Sequence, residues 1–187
     1  MGRKIETENA QIYFAHALEA LGFDGDIPNI PQRWVAFLES YLVPYEPQKD
    51  LGVSYDYDAK ELEQHSLVAQ RKIPYNAVCA HHLLPVWGHA TVAYIPQRNI
   101  VGLSKLTRLV HGITHRKPSL QEEVCTGIVE ALMEHLQPLG AACIITAIHG
   151  CMACRGVEAR DTETITSALR GVFFTDTSLR AELLGII

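Results

Sequence analysis

The chain has 187 residues, a formal net charge of −5, 48% hydrophobic residues and 20% charged residues. This length suits one well-buried domain, and this composition excludes a disordered or fibrous protein. The longest strongly apolar stretch, residues 141–148, is far shorter than the roughly 20 residues that span a bilayer, and the N-terminus lacks the apolar core of a signal peptide. We therefore expect a cytoplasmic protein with no membrane partner. Its negative charge argues against general binding to nucleic acid.

The first fifty residues are predicted to be helical. Apolar residues recur at helical spacing from Thr7 to Gly22, and a second set at residues 34–42 lies between prolines. No low-complexity tract or long linker separates this part from the rest. We therefore predict one domain over residues 1–187, with a helical N-terminal part at 1–50 and a catalytic part at 60–187.

The rest of the chain is predicted to mix strands and helices. Ser104 is a good N-cap for one helix. Ser119 and Glu122 have capping-box spacing at the start of a longer helix. Extended segments are predicted at residues 66–78, 87–95, 141–149 and 164–174, followed by a short helix from about Ser178. The predicted fold class is α+β with a mostly antiparallel sheet.

Two distant stretches carry potential metal ligands. These residues are Cys79, His81, His82, His149, Cys151 and Cys154. Zinc binds thiolate sulfur and imidazole nitrogen tetrahedrally, and four protein ligands close a structural site, whereas three leave a position for water. Cys79, His82 and Cys151 would form an open catalytic site, and adding Cys154 would close it. The spacing permits both.

Strand geometry would favour the open site. If residues 151–154 continue the preceding apolar strand, side chains three positions apart point to opposite faces, so Cys154 cannot share a metal with Cys151. His81 and His149 would then lie beside the metal without binding it. Imidazoles in such positions suit proton transfer near neutral pH.

Basic residues form a second pattern. Ser104, Lys105 and Arg108 begin a predicted helix, where free amide groups and the positive end of the helix dipole attract anions. Arg71 and Arg155 flank the two metal-ligand stretches and could contact the same anion. In an acidic protein, this pattern favours a polyanionic substrate rather than nucleic acid.

Gln121 and Glu122 permit two interpretations. A capping box between Ser119 and Glu122 needs no ligand. A carboxylate beside an amide could instead accept hydrogen bonds from the N–H groups on the edge of guanine. The spacing alone does not separate the two.

Five motifs resemble, in order and spacing, those of GTP cyclohydrolase I. They are residues 79–85 (CAHHLLP), 94–96 (YIP), 101–108 (VGLSKLTR), 121–122 (QE) and 149–156 (HGCMACRG). Residues 30–36 and 169–173 are also similar to segments of that family. The resemblance therefore covers nearly the whole chain.

The resemblance implies the tunnelling fold, in which sheets from several subunits close into a barrel, and a toroidal homodecamer with active sites at subunit interfaces. It implies Zn²⁺ as the cofactor and GTP as the substrate of a hydrolase that acts on a cyclic amidine C–N bond. The implied metal ligands are Cys79, His82 and Cys151. The implied catalytic residues are the acid–base histidines His81 and His149, together with Ser104. The implied substrate-binding residues are Arg71 from a neighbouring subunit, Leu103, Ser104, Lys105, Arg108, Gln121, Glu122 and Arg155, of which Glu122, helped by Gln121, matches the guanine-holding carboxylate.

The implied reaction starts when water activated by zinc adds to C8 of guanine while a histidine protonates N7. Formate then leaves, and the ribose rearranges and recloses to give 7,8-dihydroneopterin triphosphate. Three residues depart from the family pattern: Ala80 stands where Glu is usual, Lys72 replaces an acidic residue, and Cys154 is an extra thiol. The alternatives are an enzyme that stops at a ring-opened product or uses another purine nucleotide, and a structural-zinc assembly module with Cys154 as fourth ligand.

Overall fold

The structure is a computed structural model that describes residues 5–23, 28–52, 54–56 and 66–186. The predicted start of the catalytic part at residue 60 lies outside these ranges. In chain order the elements are α1 (Thr7–Ala20), α2 (Ile30–Glu39), α3 (Gln48–Leu51), β1 (Ser54–Asp56), β2 (Val68–Val78), β3 (Pro85–Ile95), β4 (Asn99–Val101), α4 (Leu103–Thr114), α5 (Gln121–His135), β5 (Gly140–His149), α6 (Gly150–Ala153), β6 (Glu163–Gly171), α7 (Val172–Thr175) and α8 (Thr177–Ile186).

The centre of the fold is a four-stranded antiparallel sheet in the order β2-β3-β5-β6. This confirms the α+β class and the four predicted strands. Strand β1 pairs separately with β4. Strand β6 ends at Gly171, earlier than predicted, because that residue has φ +60° and turns the chain into α7.

The central strands β3 and β5 contribute buried side chains to both faces of the sheet, since alternate side chains point to opposite sides. On one face, Val92 and Tyr94 of β3 join the core that packs under α4 and α5. On the other, Ala93 and Ile95 pack with a smaller cluster that includes Phe173 of α7. Within the described residues, no helix is long and apolar enough to cross a membrane.

The N-terminal helices pair through aromatic contacts. Phe14 of α1 stacks on Trp34 of α2 with ring centroids 6.2 Å apart. Helix α1 has no buried residue and α2 buries Val35. The two predicted helices are confirmed, and they cover little of the core within one chain.

Two predicted helix caps are wrong. The N-cap of α4 is Gly102, so Ser104 lies inside the first turn. Helix α5 begins at Gln121, and the backbone N–H of Leu120 donates to the carboxylate of Glu123 at 3.4 Å, so Glu122 is not the capping residue. The carboxylate of Glu122 is therefore left for another role.

His115, just beyond the C-terminal end of α4, joins that helix to the N-terminal part. Its ring lies 4.5 Å from that of Tyr41 and 6.1 Å from that of His111, centroid to centroid. Burial lowers the pKa of His115, and His111 lowers it further, whereas backbone hydrogen bonds at Asn76 and Ser40 oppose these effects. Folding therefore favours the neutral imidazole.

This depressed pKa predicts that acid destabilises the fold. The stability contributed by a neutral His115 is complete above its usual pKa of 6.5 and is lost as the pH falls through the lower folded value. We expect the urea midpoint to fall on acidification below pH 6.5, and expect His115→Gln to reduce that fall. The matched variant His16→Gln, at an exposed histidine of α1, should leave it unchanged. The same pH dependence in all three proteins would contradict the prediction.

Candidate active site

Three potential ligands from the two distant stretches come together at one end of the sheet. The ligand atoms of Cys79, His82 and Cys151 all lie within 4.8 Å of one another. Cys79 follows the last residue of β2, and the turn to β3 brings the Cys79 Sγ to 3.9 Å from the His82 Nδ1. Cys151 lies in α6, directly after β5. We call these three residues the metal group.

Sheet pairing explains why the two stretches meet. Val78 at the end of β2 pairs with Pro85 at the start of β3. The next residue of β3, Val86, pairs with His149 at the end of β5. The C-terminal ends of β2 and β5 therefore lie at the same end of the sheet, on either side of β3.

The fourth thiol lies outside the metal group. Residues 151–154 do not continue the strand as assumed, because β5 ends at His149 and α6 begins at Gly150. The exposed Cys154 instead donates its thiol hydrogen to the carbonyl oxygen of Gly150 at 2.8 Å. The open arrangement therefore arises from a helical turn rather than from strand alternation.

The donor set fits a zinc ion. Two sulfurs and one imidazole nitrogen are ligands that zinc accepts, and three protein ligands leave one tetrahedral position for solvent. Burial raises the pKa of the Cys151 thiol, and the adjacent Cys79 raises it further. A bound cation would reverse this cost by favouring the thiolates.

Gln121 holds His149 through a buried hydrogen-bond network. The two hydrogens of its side-chain Nε2 are shared among three acceptors: the carbonyl oxygens of Ile145 and Thr164, each at 3.0 Å, and the Thr166 hydroxyl oxygen at 3.1 Å. Its Oε1 therefore faces the His149 Nε2, 2.8 Å away, and accepts a hydrogen bond from the Nε2–H group. This geometry leaves Nδ1 as the free nitrogen of His149, and it commits the Gln121 side chain, expected to help hold guanine, to the protein itself.

The other residues predicted for this end lie around the metal group. His81 is exposed, with its ring centroid 6.1 Å from that of His82. Burial lowers the pKa of His149, and the negative charge of the exposed Glu122 opposes this effect in part. The exposed Arg155 lowers the pKa of Cys151 as a lesser effect. Both residues are neighbours in sequence of residues at this end: Glu122 follows Gln121, and Arg155 follows Cys154.

The predicted phosphate-binding residues lie at the other end of β2. The side chain of Gln70, near the start of that strand, donates to the Thr107 hydroxyl in the first part of α4 at 3.0 Å. His115, directly after the last residue of α4, forms a hydrogen bond with the backbone at Asn76, so the end of α4 lies nearer to Cys79 than its start does. At about 3.3 Å per residue, the strand separates Gln70 from Cys79 by on the order of 25 Å or more. Leu103, Ser104, Lys105 and Arg108 therefore do not join the metal group within one chain.

Arg71 belongs to that distant end as well. It lies on the edge strand β2, in an irregular segment where the pairing shifts between Gln70 and Ile73 and where Lys72 has φ +55°. Its side chain is exposed. Within one chain it cannot reach Cys79, in keeping with its expected role in a neighbouring subunit.

Asp50 contacts the predicted phosphate-binding residues although it was not among the predicted site residues. Its carboxylate accepts hydrogen bonds from the Lys105 Nζ at 3.2 Å and the Tyr45 hydroxyl at 3.1 Å, and it lies 3.7 Å from the Arg108 Nη1. Burial and then Asp50 raise the pKa of Tyr45. No motif or spacing in the sequence marks Asp50 as a partner of residues so far along the chain.

Comparisons with known proteins identify the family of this chain. The model of the family described as GTP cyclohydrolase I matches residues 11–187. GTP cyclohydrolase 1 of Listeria monocytogenes EGD-e is 41% identical over 91% of this chain and 90% of its own length. GTP cyclohydrolase 1 of Carboxydothermus hydrogenoformans is 39% identical over 98% of this chain and 95% of its own length.

A more distant solved structure is also similar. The crystal structure of the archaeosine synthase QueF-Like in the apo form aligns with a TM-score of 0.47 and 16% identity, over 58% of this chain and 97% of that chain. That similarity is too low to assign a function. The family model and the two relatives, which span nearly the whole chain, place it in the GTP cyclohydrolase I family of enzymes.

Proposed function

We propose that this protein is a zinc-dependent GTP cyclohydrolase I, which hydrolyses C8 of GTP, releases formate and forms 7,8-dihydroneopterin triphosphate. The observation that carries the proposal is the metal group of three ligands beside a positioned histidine. Relatives named GTP cyclohydrolase 1 support the substrate. The proposed location of the protein is the cytoplasm.

Cys79, His82 and Cys151 would hold the zinc ion, which supplies an activated water molecule when bound. The Nε2–H group of His149 donates a hydrogen bond to Gln121, so Nδ1 is the atom that exchanges a proton with the substrate. His81, on the exposed turn beside His82, is the second acid–base group. The lowered pKa of His149 keeps its imidazole mainly neutral near pH 7, ready to accept a proton.

Glu122 is the proposed guanine-binding carboxylate. Because Glu123 caps α5, the exposed Glu122 carries no capping role. Its oxygens can accept the N–H donors on the edge of guanine, which distinguishes guanine from adenine. Glu122 also follows Gln121, whose side chain bonds to His149, and this position at the start of α5 supports the proposed role.

The triphosphate would bind at the start of α4. This helix has 12 residues, so its free amide groups and dipole add to the charges of Lys105 and Arg108. Because this end lies far from the metal group of the same chain, we propose that each site combines the metal group of one subunit with α4 and Arg71 of others. The assembly that follows from the resemblance is a tunnelling-fold barrel in a homodecamer.

Gln121→Leu should lower kcat by about ten- to a hundredfold, because it frees the His149 ring while leaving the histidine in place. The KM of this variant for GTP should change little, because the Gln121 amide of the wild type bonds to the protein and not to the substrate. The matched variant Thr166→Val removes one acceptor of the same network and should have a smaller effect. A rise in KM at unchanged kcat would instead assign the Gln121 side chain to guanine binding.

The test of the function is incubation of metal-analysed protein with GTP, following formate and the fluorescence of the oxidised pterin. Both products are expected, with guanosine a much poorer substrate. Formate without a pterin would show that the reaction stops at a ring-opened product, and Ala80, which puts a methyl group beside Cys79 where the family usually has Glu, would be the first residue to revert. Neither product from zinc-loaded protein would overturn the proposal.

A further inference from the structure

Residues 43–51 form a strap that runs along α4 in the opposite direction. At one end, the backbone N–H of Val43 donates to the carbonyl oxygen of His115 at 2.9 Å. In the middle, the ring of Tyr45 lies directly over Gly112, where an added Cβ would come within 2.3 Å of it. At the other end, Leu51 is fully buried in the main core. The path of the strap is therefore set by its packing on α4.

This path delivers the carboxylate of Asp50 to the start of α4. The Oδ1 lies 3.2 Å from the Lys105 Nζ and 3.7 Å from the Arg108 Nη1, and the Oδ2 accepts from the Tyr45 hydroxyl at 3.1 Å. The side chain of Asp50 is only 14% exposed and that of Lys105 only 20%, whereas that of Arg108 is 63% exposed. Lys105 is thus turned inward to a buried carboxylate, which needs such partners to remain charged.

The same two cations are the ones proposed to bind triphosphate. A carboxylate oxygen and a phosphate oxygen make the same kind of charge-assisted contact with an ammonium or guanidinium group. Asp50 therefore competes with phosphate for Lys105 and repels any anion bound beside it, and the low exposure of the pair limits screening by water and salt.

We propose that Asp50 is a specificity-determining residue of the phosphate site, which holds the anion position of Lys105 and Arg108 and weakens polyphosphate binding there. This inference rests on the proposed function, because that function assigns these cations to triphosphate. As a consequence, only a highly charged ligand can bind at this site, because the incoming anion must displace from Lys105 and Arg108 a carboxylate that Tyr45 holds in place. The matching ligand class is a triphosphate rather than a monophosphate.

The test measures the Kd of inorganic tripolyphosphate by calorimetry on the full-length, zinc-loaded protein. Asp50→Asn should tighten binding by about tenfold or more, with little change in that gain between low and moderate salt because the pair is poorly exposed. The matched control is Glu46→Gln, which removes an exposed carboxylate of the same strap, paired with Lys49 at 3.2 Å, and should change the Kd less than about twofold. In a Lys105→Gln background, the gain from Asp50→Asn should shrink.

Tyr45→Phe gives a second measurement if Asp50→Asn unfolds. It keeps the carboxylate but removes the hydroxyl that holds it, so it should also tighten tripolyphosphate binding, by less. Unchanged or weaker binding in a folded Asp50→Asn protein would overturn the inference and make Asp50 a support for Lys105. If the wild type converts GTP to a pterin while that result is obtained, the proposed function stands alone. If Asp50→Asn binds tripolyphosphate more tightly but the wild type does not turn over GTP, the inference is supported and the proposed function is contradicted.

Discussion

The Cys151→Ser variant should lose its zinc and lower kcat by more than about a hundredfold. Serine has nearly the shape of cysteine, but its hydroxyl stays protonated at neutral pH and binds zinc poorly. Loss of a residue that merely supports a ligand already costs about 10- to 100-fold, so loss of a ligand should cost more. Elemental analysis of the purified protein and formate release from GTP measure the two effects.

Cys154→Ser is the matched control, because it makes the same change three residues further along. The Cys154 thiol donates to the Gly150 carbonyl oxygen and lies outside the metal group, so this variant should keep its zinc and most of its activity. Loss of zinc and folding in both variants would favour the structural four-ligand module. Retention of zinc in both variants would contradict a zinc site at this end of the sheet.

Two inactive variants should restore activity when they assemble together. Cys151→Ser disables the metal group, and Arg108→Ala disables the phosphate site at the other end of β2. If each active site takes its metal group from one subunit and its α4 from another, about one quarter of the sites in a randomly mixed, symmetric oligomer have both halves intact. Co-expression with two affinity tags isolates the mixed oligomer, and its GTP turnover is compared with that of each variant alone.

The control is a second mixed oligomer, assembled from subunits with Cys151→Ser and subunits with His82→Ala. Both substitutions damage the metal group, so no arrangement of subunits yields an intact site and no activity should return. Activity from the first mixture and none from the second would establish shared sites. A mixed oligomer of Cys151→Ser and Arg108→Ala that stays inactive would contradict the sharing of sites between subunits.

Local patterns predicted most of the secondary structure. The strands β2, β3 and β5 and the helices α4 and α5 follow runs or stripes of apolar residues whose period is set by the backbone itself. The helix caps were harder to predict, because a cap depends on the backbone turn that precedes the helix. Ser119 and Glu122 have the correct spacing for a capping box, but the helix begins later and uses Glu123.

The metal group brings together the three predicted ligands, but not through the strand geometry that favoured them. A continuing strand would point Cys154 away from Cys151, whereas the chain forms a helical turn after His149 and still leaves Cys154 outside the metal group. Thiol and imidazole groups limit which residues can bind zinc. The direction of each thiol depends on where the strand ends, and the apolar run that precedes Cys151 does not reveal its own end.

The sequence by itself determined the family, the four strands and the kinds of side chain available for metal, base and phosphate, because motifs and periodicity are properties of short segments. Tertiary structure decided which of them meet. It placed Lys105 and the metal group at opposite ends of β2, turned Gln121 toward His149, and brought Asp50 to Lys105. These distances depend on how α4, α5 and the strap lie against the sheet, and that packing is set by the shape of the whole core rather than by any one segment.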